Sequence, residues 1–334
     1  MHHLHACVGQ IFQNYAVRKY FIPFNYKHLN TPFCTEYFLK HYKNNNKMTE
    51  QKTRISDEET KKLQAYILDI MVNIDRVCRE HHLRYYLLAG TMLGAVRHKG
   101  FVPWDDDADI ALPRKDYNIL IAHANEWLPK HIELVSGVQN PYYPYAFARI
   151  QNAETTYILR RSFNFIGGLP VDIFPLDGMT ENPLKRKWHY MRYDFFVRLM
   201  YYNLRDPYKH GRGIDCLFIK MCHKLFSSAW LHRKLDKIQS EYDFDSSTLV
   251  ADHDNAPDRG ILAREVYGEP TPITFEGHTF MGVAKPDEYL KYCYGNYMEM
   301  PSELPPQNFR FLDLQLPYRS YLKQQNIKSK KEQH

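Results

Sequence analysis

The stretch from Tyr85 to Ile110 reads YYLLAGTMLGAVRHKGFVPWDDDADI and sets the expectation for the fold. In a chain of formal net charge +6, it places four carboxylates within five positions, at Asp105, Asp106, Asp107 and Asp109. Like charges this close repel one another, so they need either water or a bound cation. Apolar residues flank the acids on both sides, which indicates a strand that enters a core.

If the segment is extended, Asp105, Asp107 and Asp109 leave one face, because side chains alternate along a strand. Clustered carboxylate oxygens suit a hard divalent cation, and Mg²⁺ or Mn²⁺ is the predicted ligand. The alternative is a solvated acidic turn, the usual outcome for a run of charges, and the apolar flanks argue against it.

The first half of the stretch predicts an anion site beside the acids. Gly90 and Thr91 follow a short apolar run and open one or two helical turns. Such a turn exposes backbone N–H groups that can face a phosphate. Arg97, His98 and Lys99 follow and add candidate phosphate donors, so phosphate and metal groups are expected on adjacent elements.

The run from Leu88 to Ile110 resembles the signature of the LicD family, the phosphocholine transferases of bacterial surface glycans, which are related to fukutin-type proteins. The resemblance implies a nucleotidyltransferase fold. It also implies that Gly90 and Thr91 bind phosphate and that Asp107 and Asp109 bind the metal.

Two further segments extend the resemblance. Arg149, ahead of Asn152 and Thr155, stands where the family has a basic residue before a turn and a threonine. The resemblance makes it a candidate phosphate contact, and an exposed strand arginine is the alternative. Asp172, in the apolar run from Gly167 to Gly178, is the acid that would complete the metal site or act as base.

Asp177 precedes Gly178 after Pro175 and is therefore assigned to capping a turn. The resemblance spans about residues 55–306 in three separated blocks. Gln307 and Asn308 stand where the family often has a histidine-bearing segment, so no role is assigned to them.

Strand, short helix, strand and helix follow one another, which predicts a mixed α/β (α+β) fold with a core sheet flanked by helices. The resemblance adds that this sheet is nucleotidyltransferase-like. The expected domain spans residues 48–310 with a basic helical insertion at about 183–242, and residues 311–334 form a tail. Residues 1–47 lack periodicity and are predicted to be a poorly ordered, dispensable extension.

Hydrophobic spacing predicts several individual elements. They are a helix over about 57–82, strands over 145–151 and 155–159, a helix packed through Trp188, Met191, Phe195, Leu199 and Tyr202, and a helix over 214–238.

The composition of the chain argues against a nucleic-acid partner and against a membrane-spanning protein. Basic residues are scattered rather than striped, so no nucleic-acid partner is predicted. The sequence has no run of about 18 apolar residues, so no membrane span is predicted. Six cysteines without a CxxC pair fit a reducing compartment. We therefore expect a cytoplasmic protein, at most in peripheral contact with the inner face of the membrane.

The reaction implied by the resemblance is attack of a sugar hydroxyl on the choline-bearing phosphorus of CDP-choline, with release of CMP. The expected acceptor is a cell-surface glycan or lipid-linked sugar of the lipopolysaccharide, capsule or teichoic acid type. Asp172 is the first choice as base and His98 the alternative. Transfer of a nucleotidyl or another phosphodiester-linked head group, and a non-catalytic binding role, are the alternative functions.

A choline head group has no hydrogen to donate, so aromatic faces and nearby negative charge must recognise it. Trp104 adjoins the acids and is the leading candidate, with Tyr143 or Tyr145 closing a cage. Packing of Trp104 in the core beneath the metal strand is the alternative.

Overall fold

The computed structural model describes residues 54–140, 142–159, 165–205, 207–208, 214–302 and 304–331 of the chain. The fold below is that of the unit Asp57–His334; of the other unit, Met1–Ser56, only residues 54–56 are described. The predicted extension over residues 1–47 therefore lies outside the described residues.

The described part of the chain contains ten strands and ten helices. The strands are β1 (Tyr86–Leu87), β2 (Asp109–Pro113), β3 (Ile132–Val135), β4 (Ala148–Leu159), β5 (Gly167–Met179), β6 (Leu249–Ala251), β7 (Ile261–Ala263), β8 (Thr271–Phe275), β9 (His278–Gly282) and β10 (Phe309–Asp313). The helices are α1 (Asp57–Glu80), α2 (Ala89–Arg97), α3 (Arg114–Trp127), α4 (Pro183–Asn203), α5 (Ile214–Leu225), α6 (Ser228–Gln239), α7 (Pro257–Gly260), α8 (Arg264–Tyr267), α9 (Pro286–Tyr294) and α10 (Tyr318–Lys331).

A mixed sheet forms the centre of this unit, with the strand order β1-β2-β5-β4-β10. β2 and β5 are parallel, whereas the pairs β1–β2, β5–β4 and β4–β10 are antiparallel. β3 also pairs with β4, and β6 pairs with the last residues of β5. The mixed α/β class predicted from the sequence is confirmed. The parallel pair places the first residue of β2 beside the middle of β5.

α1 packs along this sheet against β4 and β5. Its stripe at helical spacing is fully buried and consists of Leu63, Ile67, Ile70 and Ile74. Burial of each such side chain contributes about 1.5–3 kcal/mol. Three acidic residues in the first turn favour the positive end of the helix dipole. The helix predicted over 57–82 is confirmed and ends at Glu80.

The two strands predicted over 145–151 and 155–159 are one strand, β4, with an irregular register between Asn152 and Tyr157. Thr155 explains why the strand continues. Its hydroxyl donates to the carbonyl of Asn152 at 2.8 Å and accepts from the amide of Leu169 at 2.7 Å. The side chain thus replaces a backbone ladder bond at the irregularity.

The single helix predicted over 214–238 is wrong, because α5 ends at Leu225 and α6 begins at Ser228. Ser227 separates them, and its hydroxyl accepts from the amide of Trp230 as an N-cap. An N-cap serine satisfies one amide that a helix start leaves unpaired, so the sequence favours a new helix here.

The turn-capping role predicted for Asp177 is also wrong. Asp177 is fully buried within β5 and accepts two hydrogen bonds of 2.6 Å from the guanidinium of Arg114. β5 continues past Gly178 because β6 pairs with this end, opposite Ala251 and Val250. A Cβ at Gly178 would lie 2.3 Å from the carbonyl oxygen of Asp243, so the close approach requires glycine.

Part of the apolar stripe that was predicted to pack α4 against the protein faces solvent instead. Trp188, Met191 and Phe195 are exposed, whereas Leu199 is buried and Tyr202 is half-buried. The buried face of α4 consists of His189, Tyr190, Tyr193, Val197, Leu199 and Met200. Apolar residues occupy both sides of this helix, so hydrophobic spacing alone could not select the inner one.

A buried histidine pair lies between α4 and the loop after β6. Nε2 of His189 and Nε2 of His253 are 2.8 Å apart, and Nδ1 of His189 is 3.0 Å from a carboxylate oxygen of Glu241. Two neutral rings satisfy this arrangement, with His189 donating to Glu241 and His253 donating to His189. Burial lowers the pKa of His189 and, with the charges of His189 and Arg114, lowers the pKa of His253 well below its usual value.

We expect the free energy of unfolding to fall as the pH drops below about 6.5, the ordinary histidine pKa. In that range the unfolded chain binds protons that the buried pair, with its lowered pKa values, does not accept. Urea unfolding between pH 5 and 8 measures the effect, and a His253→Gln variant should lose part of the slope. An unchanged slope in that variant would contradict the assignment.

Candidate active site

Three neighbouring carboxylates form an oxygen cluster in the loop between α2 and β2. Asp105, Asp106 and Asp107 each offer one oxygen, and these atoms lie within 4.8 Å of one another. The expected extended face of Asp105, Asp107 and Asp109 is not formed, because β2 begins only at Asp109. Residues 105–108 follow an irregular path, which brings Asp106 into the cluster.

A second row of charged residues crosses the sheet next to this loop. Asp109 on β2 pairs in register with Asp172 on β5, and Asp172 pairs in register with Arg149 on β4. Residues paired in this way project from the same face of a sheet. The sheet therefore brings together three residues that lie on separate segments of the sequence.

Arg149 and Asp172 form an ion pair within this row. Nε of Arg149 lies 2.6 Å from Oδ1 of Asp172, and its terminal NH2 group lies 3.2 Å from Oδ2. Burial, the largest single influence, lowers the pKa of the guanidinium, but the charge of Asp172, the two neighbouring tyrosines and the hydrogen bonds to Asp172 together raise it well above its usual value. Arg149 is buried, so it is not the exposed strand arginine that sequence analysis kept as the alternative.

Tyr143 and Tyr145 do not form an open cage. Tyr143 is fully buried and Tyr145 is 3% exposed. The guanidinium of Arg149 stands 4.4 Å from the centroid of the Tyr145 ring. That face of Tyr145 is therefore occupied by the guanidinium of Arg149. The expectation that Tyr143 or Tyr145 closes a cage around choline is corrected.

Gly90 and Thr91 lie in the first turn of α2, beside the acids. A Cβ at Gly90 would lie 3.0 Å from Oδ2 of Asp105, so glycine leaves room for the carboxylate. The hydroxyl of Thr91 accepts from the amide of Asp109 at 2.8 Å. The amide of Leu88 donates to the carbonyl of Asp109. These bonds fix the helix start to the first residue of β2.

The basic run at the end of α2, Arg97 to Lys99, is divided between two environments. Arg97 donates to Nε2 of His98 at 2.9 Å and to the carbonyl of Tyr297 at 2.8 Å. Burial and the charge of Arg97 lower the pKa of His98, which is therefore neutral at pH 7. Lys99 is exposed, and its carbonyl accepts from the amide of Glu276 in the β8–β9 turn.

The loop before the acids is held by α1. The side-chain amide of Gln64 donates to the carbonyls of Val102 and Asp105, at 3.2 and 3.0 Å. Burial raises the pKa of the Asp105 carboxyl, and the negative charges of Asp107, Asp106 and Asp109 raise it further. The loop thus holds a carboxylate where its charge is unfavourable unless a cation is present.

Asn308 is a site residue to which sequence analysis gave no role. Its side-chain amide donates to Oδ2 of Asp107 at 2.7 Å and to Oδ1 of Asp106 at 3.3 Å. Its backbone amide donates to Oδ2 of Asp106 at 2.7 Å. The only sequence signal was its position where the LicD family often has a histidine-bearing segment. Asn308 reaches the acids because β10 pairs with β4.

Two aromatic side chains stand near the cluster with part of their surface open. Trp104 is half-buried, so it is not enclosed in the core as the alternative interpretation proposed. Tyr294, at the end of α9, is 45% exposed. Burial raises the pKa of Tyr294, as do charges that include Cys293, Asp109 and Asp105. No sequence pattern pointed to Tyr294 as a residue near the acids.

The acids, the glycine turn and the Arg149–Asp172 pair together define a site of the kind expected for a transferase that handles phosphates. Residues 82–205 match the family model for the LicD/FKTN/FKRP nucleotidyltransferase domain. The resemblance to the LicD family is confirmed, because this match includes the glycine turn, the acids and the Arg149–Asp172 pair. All ten predicted site residues lie within the matched part, whereas Asn308 lies outside it.

Comparison with individual proteins finds one named relative that agrees with this match. The chain is 26% identical over 250 residues to the lipopolysaccharide cholinephosphotransferase LicD of Haemophilus influenzae, a match that covers 72% of this chain and 91% of that protein. It is 33% identical over 140 residues to an uncharacterized protein of Rickettsia typhi, covering 41% of this chain and 42% of that protein. The enzyme class predicted from the sequence, a transferase, agrees with the named relative.

Proposed function

We propose that this protein transfers phosphocholine from CDP-choline to a sugar hydroxyl of a cell-surface glycan, in a reaction that depends on Mg²⁺ or Mn²⁺. The observation that carries the proposal is the cluster of three carboxylate oxygens within 4.8 Å, placed against the first turn of α2. The named relative, a lipopolysaccharide cholinephosphotransferase, supports both the transferred group and the acceptor class.

The chemistry of the donor set fits a divalent cation. Hard cations prefer oxygen ligands, and the burial that raises the pKa of Asp105 makes an unneutralised cluster unfavourable. Asp105, Asp107 and Asp109, the first residue of β2, would hold the ion. Asp106 is buried and accepts from Asn308, so its role is to fix the loop. Bound there, the ion would neutralise the donor diphosphate and stabilise the departing phosphate.

The other site residues would bind and orient the donor. The first turn of α2, at Gly90 and Thr91, would direct backbone N–H groups at the diphosphate. Both oxygens of Asp172 already accept hydrogen bonds from Arg149, which favours a role in holding Arg149 towards phosphate over a role as a free base. Nε2 of His98 is similarly engaged by Arg97.

The function is tested by measuring CMP release from CDP-choline, CDP-ethanolamine and CDP-glycerol, with a cell-surface glycan as the acceptor. We expect release from CDP-choline that needs the glycan and Mg²⁺ or Mn²⁺ and stops with EDTA. Release from another donor alone would replace choline by that head group. No metal-dependent release from any donor would refute the transferase proposal.

Asn308 should set the geometry of the acidic cluster, because its amide holds Asp106 and Asp107 together. We expect Asn308→Ala to weaken Mg²⁺ binding by about 10–100-fold, as loss of a supporting hydrogen bond commonly does. Titration calorimetry measures the Mg²⁺ affinity. Asn296→Ala is the matched control, because it removes an exposed side-chain amide that donates to Glu299. Equal Mg²⁺ affinity for the wild type and Asn308→Ala would refute the assignment.

Trp104 is the remaining candidate for the choline face, since Tyr143 and Tyr145 are closed. We expect Trp104→Leu to raise the KM for CDP-choline by about 3–30-fold, the loss of a cation–π contact of ~0.5–2 kcal/mol. Thermal stability should change little, because the side chain is only half-buried. A much lower Tm with a normal KM would make Trp104 structural and leave the exposed ring of Tyr294 as the next candidate.

A further inference from the structure

α4 presents an apolar stripe to solvent. Leu184, Trp188, Met191 and Phe195 recur at intervals of four, three and four residues, so they lie along one side of the helix. Their exposed fractions are 78%, 56%, 53% and 56%. Single exposed apolar residues are ordinary on a protein surface, whereas a contiguous patch marks an interaction surface.

α5 also presents a row of apolar side chains to solvent. Leu217, Met221 and Leu225 recur every four residues and are 71%, 47% and 63% exposed. α5 packs on α4 through an edge-to-face contact of Tyr202 with Phe218, whose ring centroids are 5.1 Å apart. The two apolar rows therefore belong to neighbouring helices.

Cations border both rows. α4 contains five Lys or Arg residues and a single Asp. Lys185 and Lys187 are exposed on either side of Leu184 and Trp188, and Arg198 is exposed further along. Lys220 and Lys224 are exposed on α5. Apolar rows bordered by cations are complementary to a surface that is apolar inside and anionic outside, as an anionic lipid bilayer is.

We propose that α4 and α5 form a docking surface for an anionic lipid bilayer, here called the α4–α5 surface. Helices that lie on membranes combine Trp, Phe and Leu on one face with Lys and Arg beside it, as these two do. The apolar residues would enter the boundary between headgroups and acyl chains, while the lysines contact anionic headgroups. Among the described residues no helix is long and apolar enough to cross a bilayer.

Docking of this kind would carry the enzyme to a membrane where lipid-linked glycans are held. The inference does not depend on the proposed transfer reaction, because it rests on residues outside the acidic cluster. Its test needs no substrate, so its failure is distinct from a failure of the proposed function.

Flotation of the full chain with phosphatidylcholine vesicles, made with or without phosphatidylglycerol as the anionic lipid, tests the proposal. We expect binding that requires the anionic lipid and weakens with salt. Trp188→Glu/Met191→Glu should bind at least about tenfold more weakly. Val138→Glu/Tyr142→Glu changes the net charge equally at residues 80% and 77% exposed elsewhere, and it should bind as the wild type does.

Two further variants test whether weak binding could come from a folding defect. Lys185→Glu/Lys187→Glu alters two exposed side chains only, and it too should bind weakly. Brominated lipid should quench tryptophan fluorescence in the wild type, and Trp188→Phe should remove most of that quenching. No binding by the wild type, or equal binding by the variants, overturns the proposal. So does a wild-type dimer that Trp188→Glu/Met191→Glu converts to a monomer without any lipid binding.

Discussion

Asp107→Asn is expected to lower CMP release from CDP-choline by about 10³-fold while the protein stays folded. Asp107 contributes an oxygen to the carboxylate cluster and accepts from the side chain of Asn308. An asparagine at this position keeps the size of the side chain and removes the charge. We expect the same result for Asp109→Asn, whose position on β2 is fixed by Thr91.

Thermal unfolding separates loss of the metal from loss of the fold. Mg²⁺ that binds only the folded wild type should stabilise it by about 2.7 kcal/mol at a concentration 100 times the Kd. In Asp107→Asn this rise in Tm should disappear, while the metal-free Tm should equal or exceed that of the wild type because one repulsive charge is gone. Asp258→Asn, an exposed acid on α7, is the matched control. Near-normal turnover in folded Asp107→Asn would refute the assignment.

Arg114→Met should destabilise the fold by about 3–5 kcal/mol, the largest expected effect on stability. It leaves the carboxylate of Asp177, which is fully buried, without its two guanidinium bonds of 2.6 Å. Burial already raises the pKa of Asp177 against the opposing charge of Arg114, so the unpaired acid should take up a proton. Urea unfolding at pH 7 measures the loss.

The double variant Arg114→Met/Asp177→Leu shows whether the loss of stability in Arg114→Met comes from an unpaired buried charge. Replacing both partners by apolar residues removes the buried charge, so part of the stability should return. Lys291→Met, which breaks an exposed ion pair with Asp287, is the control and should change stability little. Arg114→Met as stable as the wild type would show that the pair is dispensable.

Local sequence determined the parts of this protein whose contacts lie close together along the chain. α1 follows from the buried repeat that includes Leu63 and Ile67, and the mixed α/β class follows from the order of elements. Gly90 and the acids share one short segment, so a glycine-containing helix start beside a carboxylate cluster could be predicted from local sequence. Steric room at Gly90 and crowding of like charge are local properties.

The tertiary structure decided what joins distant segments or selects between two similar faces. Asn308 reaches Asp107 across 201 positions of sequence because β10 adds to the edge of β4. Arg149 is withdrawn into an ion pair with Asp172 by strand register, and Asp177 is buried because β6 extends β5. Both sides of α4 carry apolar residues. Packing against the rest of the chain determines which side is buried and which side faces solvent.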